Sequence, residues 1–77
     1  MSSLHLVHSS QGCERASRLS SADDDIVLMG DAVYGQIEGS YALQDDVIAR
    51  GISHLRQVTY SELVDLSLKH DKVVSWP

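Results

Sequence analysis

The sequence is poor in cysteine: its 77 residues include one Cys, so no disulfide can form within the chain. A lone thiol fits a reducing compartment, which favours the cytoplasm, and the alternative is an extracellular domain that has no disulfides. A chain of this length has a single small core, and without a disulfide it has little stability to spare. We therefore expect one domain over residues 1–77 that self-associates when isolated or gains stability from partner subunits.

Basic residues are also scarce. Six Lys and Arg stand against eleven Asp and Glu, which gives a formal net charge of −5. This charge repels a phosphate backbone, and the sequence has no cluster or stripe of basic residues to overcome the repulsion. The sequence therefore predicts no direct contact with nucleic acid.

Long hydrophobic runs are missing as well. The longest run of large apolar residues covers residues 26–29, whereas a membrane-spanning helix needs about 20 such residues. No charged-then-apolar leader precedes Leu4. We expect a soluble, cytoplasmic protein that makes no contact with a membrane.

Catalytic and cofactor motifs are absent: the sequence contains no G-x-S-x-G, P-loop or G-x-G-x-x-G pattern. His5 and His8 are three apart on a predicted strand, so they point to opposite faces and cannot chelate one ion. His54 has no discernible partner, and His70 is expected to cap the end of a helix. The acidic run 23–25 is expected to keep a turn in water. We therefore predict no cofactor, no metal site and no enzyme activity.

Short β-rich runs alternate with helical stretches, a pattern typical of parallel β-α-β units. The predicted strands are residues 4–8, 25–29, 40–43, a segment that ends at Val58, and 72–77. The predicted helices are residues 12–20, 45–51 and 60–70. The link between residues 34 and 41 is short for a parallel crossover, so we expect a single helical turn there. The predicted fold class is α/β: a three-layer α/β/α sandwich with a small, mainly parallel five-stranded sheet.

Four polar residues are predicted to cap helices. Asp31 follows the second predicted strand, a position that also suits a catalytic acid, but no His or second acid stands nearby at motif spacing, which favours a cap. Asp45 is expected to begin the next helix, with Gly51 as the left-handed residue after its end. Thr59 and Glu62 form a capping-box pattern for the last helix.

Cys13 is the one candidate for sulfur chemistry. It is expected near the start of the first helix, where the helix dipole and nearby Arg15 and Arg18 would lower the pKa of the thiol. A thiolate there could carry sulfur as a persulfide. The alternative is a buried, unreactive thiol, because free Cys is among the most often buried residue types. The sequence leaves both interpretations open.

Aromatic side chains are few, and three of them lie in short elements near loops or the terminus. These are Tyr34, Tyr41 and Trp76. Tyr and Trp are favoured anchors at protein interfaces, so we predict that these residues contact partners, with core packing as the alternative for each.

Three stretches together resemble the TusB/DsrH family of sulfur-relay proteins. They are "LHLVHSS", "IVLMGDAVY", and "ALQDDVIARG" followed by "VTYSELVDLSLKH" and a terminal tryptophan. The resemblance runs in the same order from Leu4 to Trp76. It implies a five-stranded parallel α/β/α domain that joins TusC/DsrF-like and TusD/DsrE-like subunits in a heterohexamer, with the acting cysteine on the TusD/DsrE-like subunit.

The function implied by this resemblance is that of a non-catalytic structural subunit in a cytosolic, TusBCD-like relay that supports 2-thiolation of the tRNA wobble uridine. One alternative is a single-cysteine persulfide carrier that uses Cys13. Another is a subunit of a DsrEFH-type complex in dissimilatory sulfur oxidation. A third is an unrelated homo-oligomeric α/β module, because a fold alone does not fix a function.

Overall fold

The computed structural model describes residues 2–35, 37, 39–54 and 56–77. The strands are β1 (Ser3–Val7), β2 (Asp25–Leu28), β3 (Tyr41–Leu43), β4 (Gln57–Val58) and β5 (Lys72–Trp76). The α-helices are α1 (Ser10–Leu19), α2 (Gln44–Ala49) and α3 (Tyr60–Lys69), and a short 3₁₀ helix covers Gly30–Tyr34. The 3₁₀ helix supplies the single helical turn expected between the second and third strands.

The five strands form one sheet in the order β4-β3-β2-β1-β5, and every neighbouring pair is parallel. The predicted α/β class is therefore confirmed. Strands β1 to β4 are added in sequence toward one edge, and α3 carries the chain back across the sheet so that β5 pairs with β1. The β4 edge is short, with two residues, whereas β5 at the other edge has five, as many as β1.

Helices cover both faces of the sheet, but unequally. On one face, α1, α2 and the 3₁₀ helix enclose the larger core. Its fully or nearly fully buried members are Val7, Cys13, Ala16, Ile26, Leu28, Ala32, Val33, Ala42 and Val47. On the other face, α3 alone packs over a small cluster of Leu4, Val27 and Val58. Strand β2 contributes side chains to both clusters, because successive side chains of a strand point to opposite faces of the sheet.

Two of the predicted helix caps are wrong. Helix α2 begins one residue before Asp45, and the capping position belongs to Leu43, which makes no side-chain cap. Asp45 instead lies in the first turn, where a negative charge favours the helix dipole. Asp31 lies inside the 3₁₀ helix, and its carboxylate accepts from Arg50 Nη2 at 3.2 Å. The end of α2 is as predicted, since Gly51 adopts a positive φ of 63°.

The capping box at the start of α3 is present as the sequence indicates. The Thr59 hydroxyl accepts from Glu62 N at 3.2 Å, and the Glu62 carboxylate accepts from Thr59 N at 2.9 Å. Leu63 packs against the cluster that contains Val58, as a hydrophobic staple would. The first helix also begins with a cap, because Ser9 Oγ accepts from Gly12 N, which explains why α1 starts earlier than predicted.

We expect Thr59→Ala to lower the free energy of unfolding by about 1 kcal/mol, because the mutation removes an N-cap and leaves Glu62 N unpaired. Urea denaturation measures the change. Ser61→Ala is a suitable control, since Ser61 is exposed in the same turn and lies outside the capping box. Equal midpoints for the two variants would contradict the energetic role of the cap.

No helix in the parts of the chain that the structure describes is long and apolar enough to cross a membrane.

Candidate functional site

Cys13 lies in α1 with its sulfur turned into the core, and only 9% of the residue is exposed. The thiol donates to the carbonyl oxygen of Ala32 at 3.7 Å. Gly35 lies so close that a Cβ built on it would be 2.8 Å from the sulfur. Burial raises the pKa of Cys13, so the environment favours the neutral thiol over the nucleophilic thiolate.

The amino-terminal end of α1 is closed by the end of β5. Ser9 Oγ accepts from Gly12 N and also donates to Pro77 O at 2.9 Å. A Cβ on Gly12 would come within 3.1 Å of Trp76 Cβ, so the helix start and the end of β5 are in close contact. The start of α1 therefore packs directly against the carboxyl end of β5, at the edge of the sheet where ligands of open α/β sheets usually bind.

The three aromatic residues predicted at partner interfaces have different surroundings. Trp76 is half-buried against the larger core, and its Nε1 donates to His5 Nδ1 at 2.9 Å. The Tyr41 ring lies 4.1 Å below the guanidinium carbon of Arg56, a cation–π contact. Tyr34 is 57% exposed and is the most accessible of the three. Trp76 and Tyr41 thus have partners within the chain, and the interface role of all three stays a prediction.

His5 belongs to a hydrogen-bonded network that joins β1, β5 and the turn that precedes β2. Because Trp76 Nε1 can only donate, His5 Nδ1 must be the acceptor, and Nε2 carries the proton. Nε2 then donates to Asp24 Oδ2 at 2.8 Å. The same Asp24 carboxylate accepts from the backbone amides of Ser3 and Ser21. The His5 bond, followed by these amides, holds the pKa of Asp24 well below its usual range.

His70 forms a second network on the other face of the sheet. Its Nε2 lies 2.7 Å from Asp25 Oδ2, and its Nδ1 lies 2.8 Å from Ser2 Oγ. His70 is the C-cap residue of α3, as predicted, and its side chain ties the helix end to β2 and to the segment before β1. The order of Ser, His and Asp resembles a hydrolytic triad, yet the imidazole side chain is 1% exposed and closed to a substrate.

The prediction that the acidic run 23–25 only keeps a turn in water is therefore wrong for two of its members. Asp24 and Asp25 each bond a buried histidine, one on each face of the sheet. A sequence signal exists in retrospect, because consecutive acids at the start of a strand alternate between its faces. Among the described residues, no group of three or more His, Cys, Asp or Glu is arranged to hold a metal ion.

A shallow groove lies between α3 and the β3–β4 edge of the sheet. It is lined by Tyr41, Val58, Glu62, Asp65, Leu66 and Lys69. The Lys69 amine is 3.6 Å from Asp25 Oδ2, so this positive charge is paired within the chain. The Glu62 carboxylate belongs to the capping box. In the described part of the molecule, the polar groups of this groove mostly serve the fold, and none is arranged as a catalytic pair.

Comparison with known proteins places the chain in a family. The model of the DsrH-like protein family matches residues 8–73. Protein TusB from Yersinia pestis (strain Pestoides F) is 30% identical over an alignment 89 positions long, gaps included, which covers 90% of this chain and 94% of the relative. Protein TusB from Yersinia pseudotuberculosis serotype O:1b (strain IP 31758) matches with the same identity and coverage. The motifs noted in the sequence, the parallel five-stranded fold and these matches agree, and the chain belongs to the DsrH family.

Proposed function

We propose that this chain is a non-catalytic structural subunit of a cytoplasmic sulfur-relay complex that supports 2-thiolation of the wobble uridine in tRNA. Membership in the DsrH family supports the sulfur-relay role, and the similarity to TusB proteins favours the tRNA branch. The observation that carries the non-catalytic part is the burial of Cys13, the one thiol in the sequence. A relay step needs an accessible thiolate, which this position disfavours.

The proposed partners are a TusC/DsrF-like and a TusD/DsrE-like subunit, which together with this chain form a heterohexamer. The acting cysteine belongs to the TusD/DsrE-like subunit. In this proposal residues 1–77 act as one domain, because a single sheet carries both core clusters. The chain contributes surface and shape rather than a reacting group.

Co-expression tests this proposal directly. The chain is tagged and produced with the two DsrE-like subunits from its own genome, and the mass of the purified complex is measured by native mass spectrometry. We expect a stable assembly with all three subunits. In cells that lack the gene, liquid chromatography with mass spectrometry should show loss of 2-thiouridine from tRNA. Assembly without any change in tRNA thiolation would favour dissimilatory sulfur oxidation instead.

We expect Cys13→Ser to leave sulfur transfer by the assembled complex within about threefold of wild type, because the buried thiol does not take part in the relay. Transfer is measured with a persulfide donor and radioactive sulfur. The matched control replaces the cysteine of the TusD/DsrE-like subunit and should abolish transfer. Persulfide on Cys13 together with loss of transfer in the serine variant would establish the carrier alternative.

A further inference from the structure

Helix α3 exposes apolar and aromatic side chains to solvent. Although half of its ten residues are apolar or aromatic, none is fully buried. Tyr60 and Val64 are each 56% exposed, and Leu68 is 79% exposed. These three residues are spaced four apart, so they form one continuous line along the helix.

The residues on the other side of α3 show which strands the line of Tyr60, Val64 and Leu68 faces. Glu62 and Lys69 border the groove over β3 and β4, and Asp65, which also lines it, lies between the groove and Leu68, its neighbour three residues on. The flank that bears Tyr60 and Val64 therefore faces the half of the sheet that contains β1 and β5. On that half, Val73 pairs in register with Leu4 and is 46% exposed. We call the surface of Tyr60, Val64, Leu68 and Val73 the α3 face.

Exposure of single apolar or aromatic side chains is normal on protein surfaces, and three others occur among the described residues. Leu19 and Ile48 are each 68% exposed and Tyr34 is 57% exposed, but they lie on α1, α2 and the 3₁₀ helix and belong to no such line. The α3 face differs because four large apolar residues share one side of a small domain. Large apolar residues grouped on one side in this way mark a candidate interaction site.

Charge decides which occupant fits the α3 face. The chain carries a formal net charge of −5, so a second copy is repelled over the whole surface. An antiparallel pairing centred on Val64, which matches the apolar line to itself, would also place Asp65 of each copy on the same flank near the axis. Like charges in that position oppose the pairing. A different chain with a basic residue opposite Asp65 has no such cost.

We propose that the α3 face docks on a partner subunit through an apolar surface of that subunit bordered by Lys or Arg, one of which faces Asp65. This assignment rests on the proposed function, since it names where the sulfur-relay partner binds. Burial of the α3 face completes the thin core on this side of the sheet, so binding also stabilises the chain. Self-association of the isolated chain uses the same surface and is weaker.

The test compares two variants in the co-expressed complex. Leu68→Asp places a charge at the most exposed residue of the α3 face, and Ile48→Asp is its matched control. Each residue is exposed and is the second-to-last residue of its helix, so the two variants have the same effect on the helix dipole. We expect Leu68→Asp to weaken partner binding about tenfold or more and Ile48→Asp to leave it within about twofold.

Two further variants control for misfolding and for charge. Leu68→Gln removes apolar area without adding a charge, and we expect it to weaken binding about threefold. A loss of binding in this variant excludes misfolding caused by the new charge as the explanation for Leu68→Asp. Asp65→Lys should weaken binding about threefold, and this loss should be greatest at low salt. Circular dichroism checks that each variant is folded.

The outcomes separate the two proposals. If the wild-type chain does not assemble with the partners, the proposed function fails and this inference fails with it. If wild type assembles and Leu68→Asp assembles equally well, the proposed function stands and the α3 face is wrong as its interface. If Leu68→Asp abolishes only self-association in analytical ultracentrifugation, the occupant is a second copy and the assignment to a partner is overturned.

Discussion

We expect His5→Ala to lower the free energy of unfolding by about 3 to 4 kcal/mol, the largest loss among the substitutions considered. His5 is 4% exposed and stacks on Trp76 with the ring centroids 6.1 Å apart. Its removal leaves a cavity and deprives both Trp76 Nε1 and the Asp24 carboxylate of a partner. The cost therefore has a packing part and a hydrogen-bonding part.

His8→Ala is the matched control, because His8 lies just after the same strand and is exposed. We expect its effect to stay below about 0.5 kcal/mol. Urea denaturation followed by the fluorescence of Trp76 measures both variants. Similar midpoints for the two histidine variants would show that the network does not contribute to stability.

The pH dependence of stability gives a second measurement on the same network. The pKa of Asp24 is lowered in the folded chain, chiefly by the His5 bond. Below the ordinary pKa of Asp, about 3.9, the unfolded chain therefore binds more protons than the folded chain. The free energy of unfolding consequently decreases as the pH is lowered through that range. Above about pH 5 the contribution is complete. In His5→Ala, the pKa of Asp24 moves back toward its ordinary value, so the acid slope should become shallower.

The fold could be predicted because its signals are local. The alternation of β-rich runs and helical stretches identified the strands and helices, and the Thr59 and Glu62 pattern identified the start of α3. The capping position of Asp45 was not predictable in the same way. Asp46 accepts from Gly30 N at 2.9 Å, a contact across 16 residues, and it fixes the start of α2 by tertiary structure rather than by a side-chain cap.

The two histidine networks could not be predicted, because each joins residues that are distant in sequence. His70 and Asp25 are 45 positions apart, and His5 and Trp76 are 71 apart. Their meeting depends on the order of strands in the sheet, which places β5 beside β1. The burial of the Cys13 thiol could not be predicted either. The start of α1 suits a reactive thiol, but the 3₁₀ helix packs against the sulfur and buries it.

The packing around Cys13 leads to the second large prediction, which concerns Gly35. The backbone there has a φ of −72°, which alanine adopts without strain, so any cost of Gly35→Ala comes from the added methyl group. That methyl would lie 2.8 Å from Cys13 Sγ and 3.1 Å from Ala32 O. We expect Gly35→Ala to lower the free energy of unfolding by about 2 kcal/mol through overpacking.

Combining Gly35→Ala with Cys13→Ala tests whether the sulfur is the obstacle. Removal of the thiol makes room for the new methyl, so the double variant should be more stable than the sum of the single effects predicts, by about 1 kcal/mol. Urea midpoints of the four proteins give the coupling energy, and labelling of Cys13 with a thiol reagent should be slow in the folded wild type. If the two effects simply add and the thiol reacts quickly, the sulfur leaves its buried position readily. That result would return Cys13 to consideration as the persulfide carrier, because the scaffold role depends on a thiol that stays in the core.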